Sequence, residues 1–236
     1  MIIIEKVSQC FMTPGGTIEV LDGVDGMIQP GEFLVIAGCS GEGKSTLLHI
    51  LGGLLKPSQG KIWVEGRDIY SLDDRSRAKL RAEQFGFIFQ NPSLLPALNI
   101  LDNILLPVAL TGRRVGSQDR ERALKLLQQT GLKEKASLFP AQLSGGQQRR
   151  AGLARALMLE PPYIFADEPT ADLDKETEQH MLGLLSELNK AGTTIILVTH
   201  AAGQLALATR ALELKGKTLH PRGSAGVPPT GSAAEG

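Results

Sequence analysis

Residues 38–46, GCSGEGKST, have the spacing of a phosphate-binding loop, in which Gly38 is followed by four residues and then by Gly43, Lys44 and Ser45. An apolar run precedes the loop and a helix-forming run follows it, as this motif requires. Glycines allow the backbone to wrap phosphate with its N–H groups pointing inward. Lys44 adds a positive charge for the β- and γ-phosphates, and the Ser45 hydroxyl is suited to Mg²⁺. The pattern predicts a nucleoside triphosphate site.

An acidic residue, Glu42, stands inside this anion-binding loop. We expect its side chain to point into solvent, although its charge could weaken nucleotide affinity. The residues predicted to contact the nucleotide are Gly38, Cys39, Ser40, Gly41, Glu42, Gly43, Lys44, Ser45 and Thr46.

Two adjacent acids, Asp167 and Glu168, follow the apolar run YIFA. A carboxylate at the end of a buried strand can orient Mg²⁺, which we expect of Asp167. Glu168 projects differently from its neighbour, so it can orient or deprotonate an attacking water, an effect worth roughly 10²–10⁴ in rate. Paired acids at a strand end are also common as charges at the start of a helix. The presence of Lys44 favours the catalytic interpretation.

The segment LSGGQQRR, residues 143–150, predicts a second phosphate-binding helix start. Two glycines follow Ser144 directly and lead into helix-forming residues, so bare backbone N–H groups would lie at the positive end of a helix dipole. Arg149, Arg150 and Arg155 recur along the same predicted helix. We expect these arginines to form a solvated or ion-paired face, and a nucleic-acid patch is the alternative.

The rest of the sequence predicts the elements that carry these residues. Strands are expected in IIIEKV and TIEVLDGVDGMI around a TPGG turn, and in EFLVIAG, KIWVEGRDI, YIFADE, TTIILVTH and RALELKG. Helices are expected in KSTLLHILGGLL and KETEQHMLGLLSELNKAG, and helical patterns prevail from RSRAKLRAEQ to about Arg155. This order predicts an α/β core with a helical insertion.

Composition disfavours several classes of protein. The 236 residues carry 25 basic and 25 acidic side chains, so no net field attracts nucleic acid or an anionic membrane. Aromatic residues make up 4%, which disfavours base stacking on single strands. Cys10 and Cys39 predict neither a disulfide framework nor a zinc site, as expected in a reduced cytosolic setting. We expect neither a signal peptide nor a membrane span.

The motifs together resemble those of the ATP-binding-cassette family. Gln90 in FIFQNPSLLP is similar to the glutamine loop of that family, ADLD at 171–174 to the loop after the two acids, and His200 to the switch histidine. Phe11 stands where the family has an aromatic residue that stacks on adenine. Simple packing is the alternative for Phe11, as a structural role is for His200.

The resemblance covers about residues 1–220, with the helical subdomain at about 91–155. Residues 221–236 are rich in Gly, Pro, Ser and Ala, and we expect them to be disordered.

The resemblance implies an α/β fold: a P-loop NTPase core of mostly parallel sheet with an antiparallel β subdomain and an inserted α-helical subdomain. It also implies an ATPase that uses ATP and Mg²⁺. In this family two cassettes pair head to tail, and each ATP lies between the phosphate loop of one chain and the LSGGQQRR segment, hereafter the signature segment, of the other. The implied catalytic residues are Glu168, His200, Gln90 and Lys44. The implied Mg²⁺ ligands are Ser45, Gln90 and Asp167. The residues implied to contact ATP from the partner chain are Ser144, Gly145, Gly146 and Gln147.

The segment around Gln90 resembles the lipoprotein-release and macrolide-export branch of the family. Members of this branch drive transmembrane permeases, so a separate permease subunit would dock in the groove near Gln90. Leu94, Leu95 and Leu98 are candidate contacts, and core packing is the alternative for them. The resemblance implies a peripheral subunit at the cytoplasmic face of the cell membrane, with no nucleic-acid partner.

The implied function is to drive export, lipoprotein extraction or mechanotransmission. A soluble assembly scaffold, as in iron–sulfur cluster biogenesis, is the first alternative, and a nucleic-acid or ribosome-associated cassette protein is the second.

The sequence departs from the family pattern at two places. Cys39 stands where proline is frequent, and Ala171 and Asp172 replace a glycine or serine followed by asparagine or alanine. Because the loop with Asp172 crosses the dimer interface in the family, coupling between the two sites could differ here.

Overall fold

The computed structural model describes residues 1–171 and 173–222. The strands are β1 (Ile2–Thr13), β2 (Gly16–Ile28), β3 (Phe33–Ala37), β4 (Gln59–Val64), β5 (Arg67–Asp68), β6 (Phe85–Ile88), β7 (Tyr163–Asp167), β8 (Thr194–Thr199), β9 (Arg210–Lys215) and β10 (Thr218–Arg222). The α-helices are α1 (Lys44–Leu51), α2 (Asp74–Gln84), α3 (Ile100–Leu110), α4 (Ser117–Gln129), α5 (Gly145–Ala156) and α6 (Lys175–Lys190). Short 3₁₀ turns cover Lys133–Lys135, Pro140–Gln142 and Ala202–Leu207.

The central sheet has the strand order β10-β9-β3-β8-β7-β6. β6, β7, β8, β3 and β9 pair in parallel, and β10 pairs antiparallel with β9. Alternate residues of the buried strands enter two different cores, because side chains alternate across a sheet. Val35 and Leu197 join the core on the side of α3–α6, whereas Ile36 and Val198 join the core that contains α1. The predicted α/β fold is confirmed.

A second, antiparallel sheet has the order β2-β1-β4-β5. Its inward residues, such as Ile4, Val24 and Ile62, pack in one core with Leu47 and Leu51 of α1. α1 therefore lies between the two sheets, and the phosphate loop at its start is covered by β2.

The helices α3, α4 and α5 pack on one another. Side-chain caps fix where two of them begin. Asn99 Oδ1 accepts a hydrogen bond of 2.8 Å from Asp102 N at the start of α3, and Ser144 Oγ accepts one of 3.3 Å from Gln147 N at the start of α5. Among the described residues, no helix combines the length and the apolar character needed to cross a membrane.

The structure corrects three details of the expected elements. Phe85–Ile88, inside the stretch expected to be helical, forms the edge strand β6 beside β7, with Phe85 and Ile88 buried. α1 ends at Leu51, before the glycine pair of the expected helix. Pro221 and Arg222, expected to be disordered, belong to β10, and residues 223–236 lie outside the described part of the chain.

Candidate nucleotide site

The phosphate loop connects the buried strand β3 to α1. Gly43 precedes the first helical residue, Lys44, and has a φ of 94°, in the left-handed region that favours glycine. A Cβ at Gly43 would lie 2.5 Å from Val20 Cγ1 of β2, so the second sheet also excludes larger residues. Cys39, Ser40 and Gly41 are exposed at the loop tip, and Thr46 is half-buried in the first turn of α1.

Two side chains of the loop bond to the loop itself. Lys44 is buried, and its Nζ donates to Gly38 O at 2.9 Å and to Cys39 O at 2.7 Å. Glu42 is half-buried, and its Oε2 accepts a hydrogen bond of 2.8 Å from Cys39 N. The expectation that Glu42 points into solvent is therefore wrong, because the loop curls enough to bring its own amide within reach of the carboxylate.

Asp167 ends β7 beside the start of α1. Its Oδ1 accepts a hydrogen bond of 2.9 Å from Ser45 Oγ. His49, one helical turn after Ser45, places Nε2 at 4.0 Å from Asp167 Oδ2. Burial raises the pKa of Asp167, and the hydrogen bond from Ser45 opposes that rise. This arrangement brings a hydroxyl and a desolvated carboxylate together.

Glu168 and His200 form a pair at the ends of adjacent strands. The Nδ1 atom of His200 lies 2.8 Å from Glu168 Oε1 and 2.6 Å from Oε2. Glu168 has a φ of 45°, which is unusual for a residue other than glycine, and its N–H donates to Val198 O at 3.0 Å. Strained backbone of this kind recurs at functional sites, and here it turns the carboxylate from the strand toward His200.

Gln90 and Phe11 lie at the borders of this group. Gln90 is exposed two residues after β6, the strand next to the one that carries Asp167. Phe11 pairs with Ile18 across the β1–β2 hairpin and keeps 38% of its surface exposed. The hairpin belongs to the sheet that covers the phosphate loop.

The signature segment begins α5, whose buried residues belong to a different core from those of α1. Ser144 caps α5, and its N–H donates to Gln147 Oε1 at 3.0 Å in return. Gln147 and Gln148 donate their backbone N–H groups to Ser144. Within the described part of the chain, the hydrogen bonds include no acceptor for the amides of Gly145 and Gly146. An exposed helix start with open amides can bind an anion.

The arginines of α5, expected to form a solvated or ion-paired face, donate to backbone carbonyls. Arg149 donates to the carbonyl oxygens of Gln90 and Ala171, and Arg155 donates to those of Pro92 and Ser93. Arg150 Nη1 donates to the oxygen of Thr130 at 2.9 Å. The sequence carried no signal for these contacts, because every acceptor is a backbone carbonyl far along the chain.

Only part of the expected permease surface is accessible. Leu94 is buried in the core, so its alternative role was correct, while Leu95 is exposed and Leu98 is half-buried. His49 was not predicted as a residue of the site, although it lies four residues after Ser45 and therefore on the same face of α1. Asp172 lies outside the described residues.

Comparison with known proteins identifies the chain. A model of the family described as "ABC transporter" matches residues 21–171. The macrolide export ATP-binding/permease protein MacB of Wolinella succinogenes is 43% identical over 221 residues, which is 93% of this chain and 34% of MacB. The lipoprotein-releasing system ATP-binding protein LolD 1 of Rhodopirellula baltica is 38% identical over 228 residues, 96% of this chain and 99% of LolD 1. The chain thus spans about a third of the length of its MacB relatives.

A solved structure agrees with these relatives. The dimeric post-hydrolysis structure of the ATP-binding cassette MJ0796 bound to ADP and Pi matches with a TM-score of 0.89 and 37% identity, over 94% of this chain and all of that one. These names do not favour the assembly-scaffold alternative. The chain therefore belongs to the ABC transporter family, as an ATP-binding cassette of the ATPases in that family.

Proposed function

We propose that this cassette hydrolyses ATP at a site built from the phosphate loop and the ends of β7 and β8. The observation that carries the proposal is the convergence of two pairs, Ser45 with Asp167 and Glu168 with His200. They lie where the adjacent strands β7 and β8 end and where α1 begins with Lys44. Nucleotide would be bound by residues 38–46, with Phe11 against adenine.

The donor set supports a magnesium ion as the resident metal. Mg²⁺ prefers oxygen ligands and is commonly held by one or two carboxylates together with substrate phosphates. Ser45 and Asp167 supply a hydroxyl and a carboxylate 2.9 Å apart, and Gln90 would add an amide oxygen. When bound, the ion would neutralise charge on the phosphate oxygens.

Glu168, His200 and Lys44 would each have a separate role in ATP hydrolysis. Glu168 accepts a proton from the attacking water, whose oxygen bonds to the γ-phosphorus while the bond to the bridging oxygen breaks, giving ADP and phosphate. His200 holds the Glu168 carboxylate by its Nδ1 contact. Lys44 turns from the Gly38 and Cys39 carbonyls to the phosphates.

A second copy of the chain would complete the site. The open amides of Gly145 and Gly146, with Ser144 and Gln147, would bind the γ-phosphate held by the partner copy. The dimeric MJ0796 structure supports this arrangement. Loss of the γ-phosphate would then weaken the dimer, because the differential contact is removed.

The names of the relatives support a membrane complex as the assembly that ATP hydrolysis would drive. MacB is named for macrolide export and LolD 1 for lipoprotein release. We propose that a separate transmembrane permease docks by the exposed Leu95 and half-buried Leu98 near Gln90, at the cytoplasmic face of the membrane. The permease would be driven to export, extract lipoprotein or transmit force. Residues 1–220 would form the ATPase domain, with a helical subdomain at about 91–155.

Phosphate release by the wild type, Lys44→Ala and Glu168→Gln tests the hydrolytic site. Lys44→Ala should lose hydrolysis and most nucleotide affinity. Glu168→Gln should bind ATP, hydrolyse it roughly 10²–10⁴-fold more slowly, and elute as a dimer in size-exclusion chromatography with ATP. Near-normal turnover by Lys44→Ala would refute the phosphate-loop assignment, and a monomeric Glu168→Gln protein at saturating ATP would refute the dimer.

Tagged Glu168→Gln protein held with ATP can then be used to capture partners from detergent-solubilised source cells. Enrichment of a multispanning membrane protein supports a permease, and a soluble assembly factor alone contradicts it.

A further inference from the structure

The guanidinium of Arg149 joins three parts of the proposed site. Arg149 lies on α5, five residues after Ser144. Its Nε donates to the backbone oxygen of Gln90 at 3.2 Å, and its Nη1 donates to the backbone oxygen of Ala171. One side chain therefore contacts the glutamine loop and the loop that follows Glu168, from a helix that begins with the signature segment.

Other contacts already attach the glutamine loop to α5. Two turns after Arg149, Arg155 donates from Nη1 to Ser93 O at 2.9 Å and from Nη2 to Pro92 O at 2.6 Å. Between them, a Cβ on Gly152 would lie 3.0 Å from Pro92 Cβ, so the backbones are closely packed. Residues 90–93 and α5 should therefore move together.

The Ala171 carbonyl belongs to a segment that is attached to the central sheet. Ala171 N donates to Glu168 O at 3.1 Å, and Glu168 N donates to Val198 O of β8 at 3.0 Å. The Ala171 segment is thus tied to the candidate base and to the central sheet. The Nη1 bond of Arg149 therefore joins α5 and the glutamine loop to the segment that positions Glu168.

We propose that Arg149 is a positioning residue that couples displacement of the glutamine loop and signature segment to the backbone that carries Glu168. This inference rests on the proposed function. A guanidinium is planar and donates in fixed directions, so a shift of either carbonyl pulls on the other or breaks a bond. Closure of the dimer or movement of a docked permease would in this way align Glu168 for hydrolysis.

Steady-state phosphate release as a function of ATP, together with ADP affinity by calorimetry, tests the coupling in the full chain. Arg149→Ala should lower kcat at least tenfold, while the KM for ATP and the Kd for ADP stay within about threefold, because the carbonyl oxygens of Gln90 and Ala171 that Arg149 holds lie outside the phosphate loop. Arg149→Lys should remain impaired, because a single ammonium cannot reproduce the two divergent donors. Arg149→Lys also keeps the test open if Arg149→Ala folds poorly.

Arg122→Ala is the matched control. Arg122 lies on α4 and also donates to two backbone carbonyls, from Nε to Met158 O at 2.8 Å and from Nη2 to Leu157 O at 3.0 Å, but both acceptors lie at the end of α5 and not beside Glu168. Arg122→Ala should leave kcat within about twofold. Wild-type kcat in Arg149→Ala, full rescue by lysine, or an equal loss of kcat in Arg122→Ala would overturn the inference. If the wild type itself showed no Lys44-dependent hydrolysis, the proposed function would fail with it.

Discussion

Replacing Asn103 by aspartate should destabilise the fold strongly, although the two side chains have nearly the same shape. Asn103 is fully buried on α3 and holds the loop that precedes the helix. Its Oδ1 accepts from Leu95 N at 2.7 Å, and its Nδ2 donates to the carbonyl oxygens of Leu95, Leu98 and Asn99 at 3.1, 3.0 and 3.0 Å. Asn103→Asp would set a carboxyl oxygen against those three carbonyls.

The expected cost has two parts. In the protonated form, one O–H replaces two N–H donors, so two of the three hydrogen bonds to carbonyls are lost, at about 0.5–1.5 kcal/mol each. Ionisation is further opposed by burial and by the facing carbonyls, so the pKa of the introduced carboxyl rises above its unfolded value. Each pH unit of that rise adds about 1.4 kcal/mol above the folded pKa. With a rise of roughly two pH units the total is roughly 4–6 kcal/mol at neutral pH.

Urea unfolding between about pH 4, near the unfolded pKa of aspartate, and pH 7.5 measures both parts. A raised folded pKa means that the folded state retains protons that the unfolded state has lost, so the stability of Asn103→Asp should fall as pH rises. Asn103→Leu is the control, because it removes the same hydrogen bonds without adding a titratable group. A variant Asn103→Asp as stable as the wild type at pH 7.5, or a pH dependence equal to that of Asn103→Leu, would refute the reasoning.

Three further changes should have distinct effects. Glu42→Ser should raise ATP affinity by about three- to tenfold in calorimetry, with a smaller gain at high salt, because a like charge leaves the phosphate loop. Glu168→Gly should melt above Glu168→Gln by roughly 2–4 °C, because glycine relieves the left-handed φ, while both variants lose hydrolysis. Asp174→Ala should lower the melting temperature by removing the hydrogen bond that Asp174 accepts from Thr177 N at 2.9 Å. That bond lowers the pKa of Asp174, so its stabilisation is present above the unfolded pKa and the difference from wild type should vanish in acid.

Local patterns predicted much of the frame that holds the site. Short apolar runs bounded by turns became the buried strands β3, β7 and β8, because central parallel strands are covered on both faces. The start of α5 at the signature segment followed from a serine and two glycines that lead directly into helix-forming residues, and in the structure Ser144 and Gln147 cap this start. Both signals lie within a few residues of the feature they predict.

Features that depend on distant parts of the chain escaped prediction. The strand β6 has four residues, too few to show an alternation, and it directly follows the helix α2. The carbonyl partners of Arg149 and Arg155 lie 22 to 63 residues away. Backbone carbonyls occur at every residue, so a sequence does not show which of them an arginine will meet. The inward turn of Glu42 likewise depends on how tightly the loop closes.

The two halves of the proposed site differ in whether their polar groups already have hydrogen-bond partners within the chain. This difference gives a reason why ATP would join two chains. In the phosphate loop, Lys44 and Glu42 already bond to loop atoms, so nucleotide must exchange those bonds for its own. In the signature segment, the Gly145 and Gly146 amides have no acceptor among the described hydrogen bonds, so a phosphate there would add bonds without breaking any within the chain. Binding of ATP to one chain would therefore release only a modest net free energy, and the larger release would come when the second chain supplies its open amides.

On this reasoning, Gly146→Ala should weaken ATP-driven dimerisation in the Glu168→Gln background more than it weakens ATP binding to the monomer. The added Cβ would lie 3.2 Å from Leu173 Cδ2, beside the open amides. Sedimentation at several ATP concentrations distinguishes the two effects, and equal weakening of both would contradict this division between the halves.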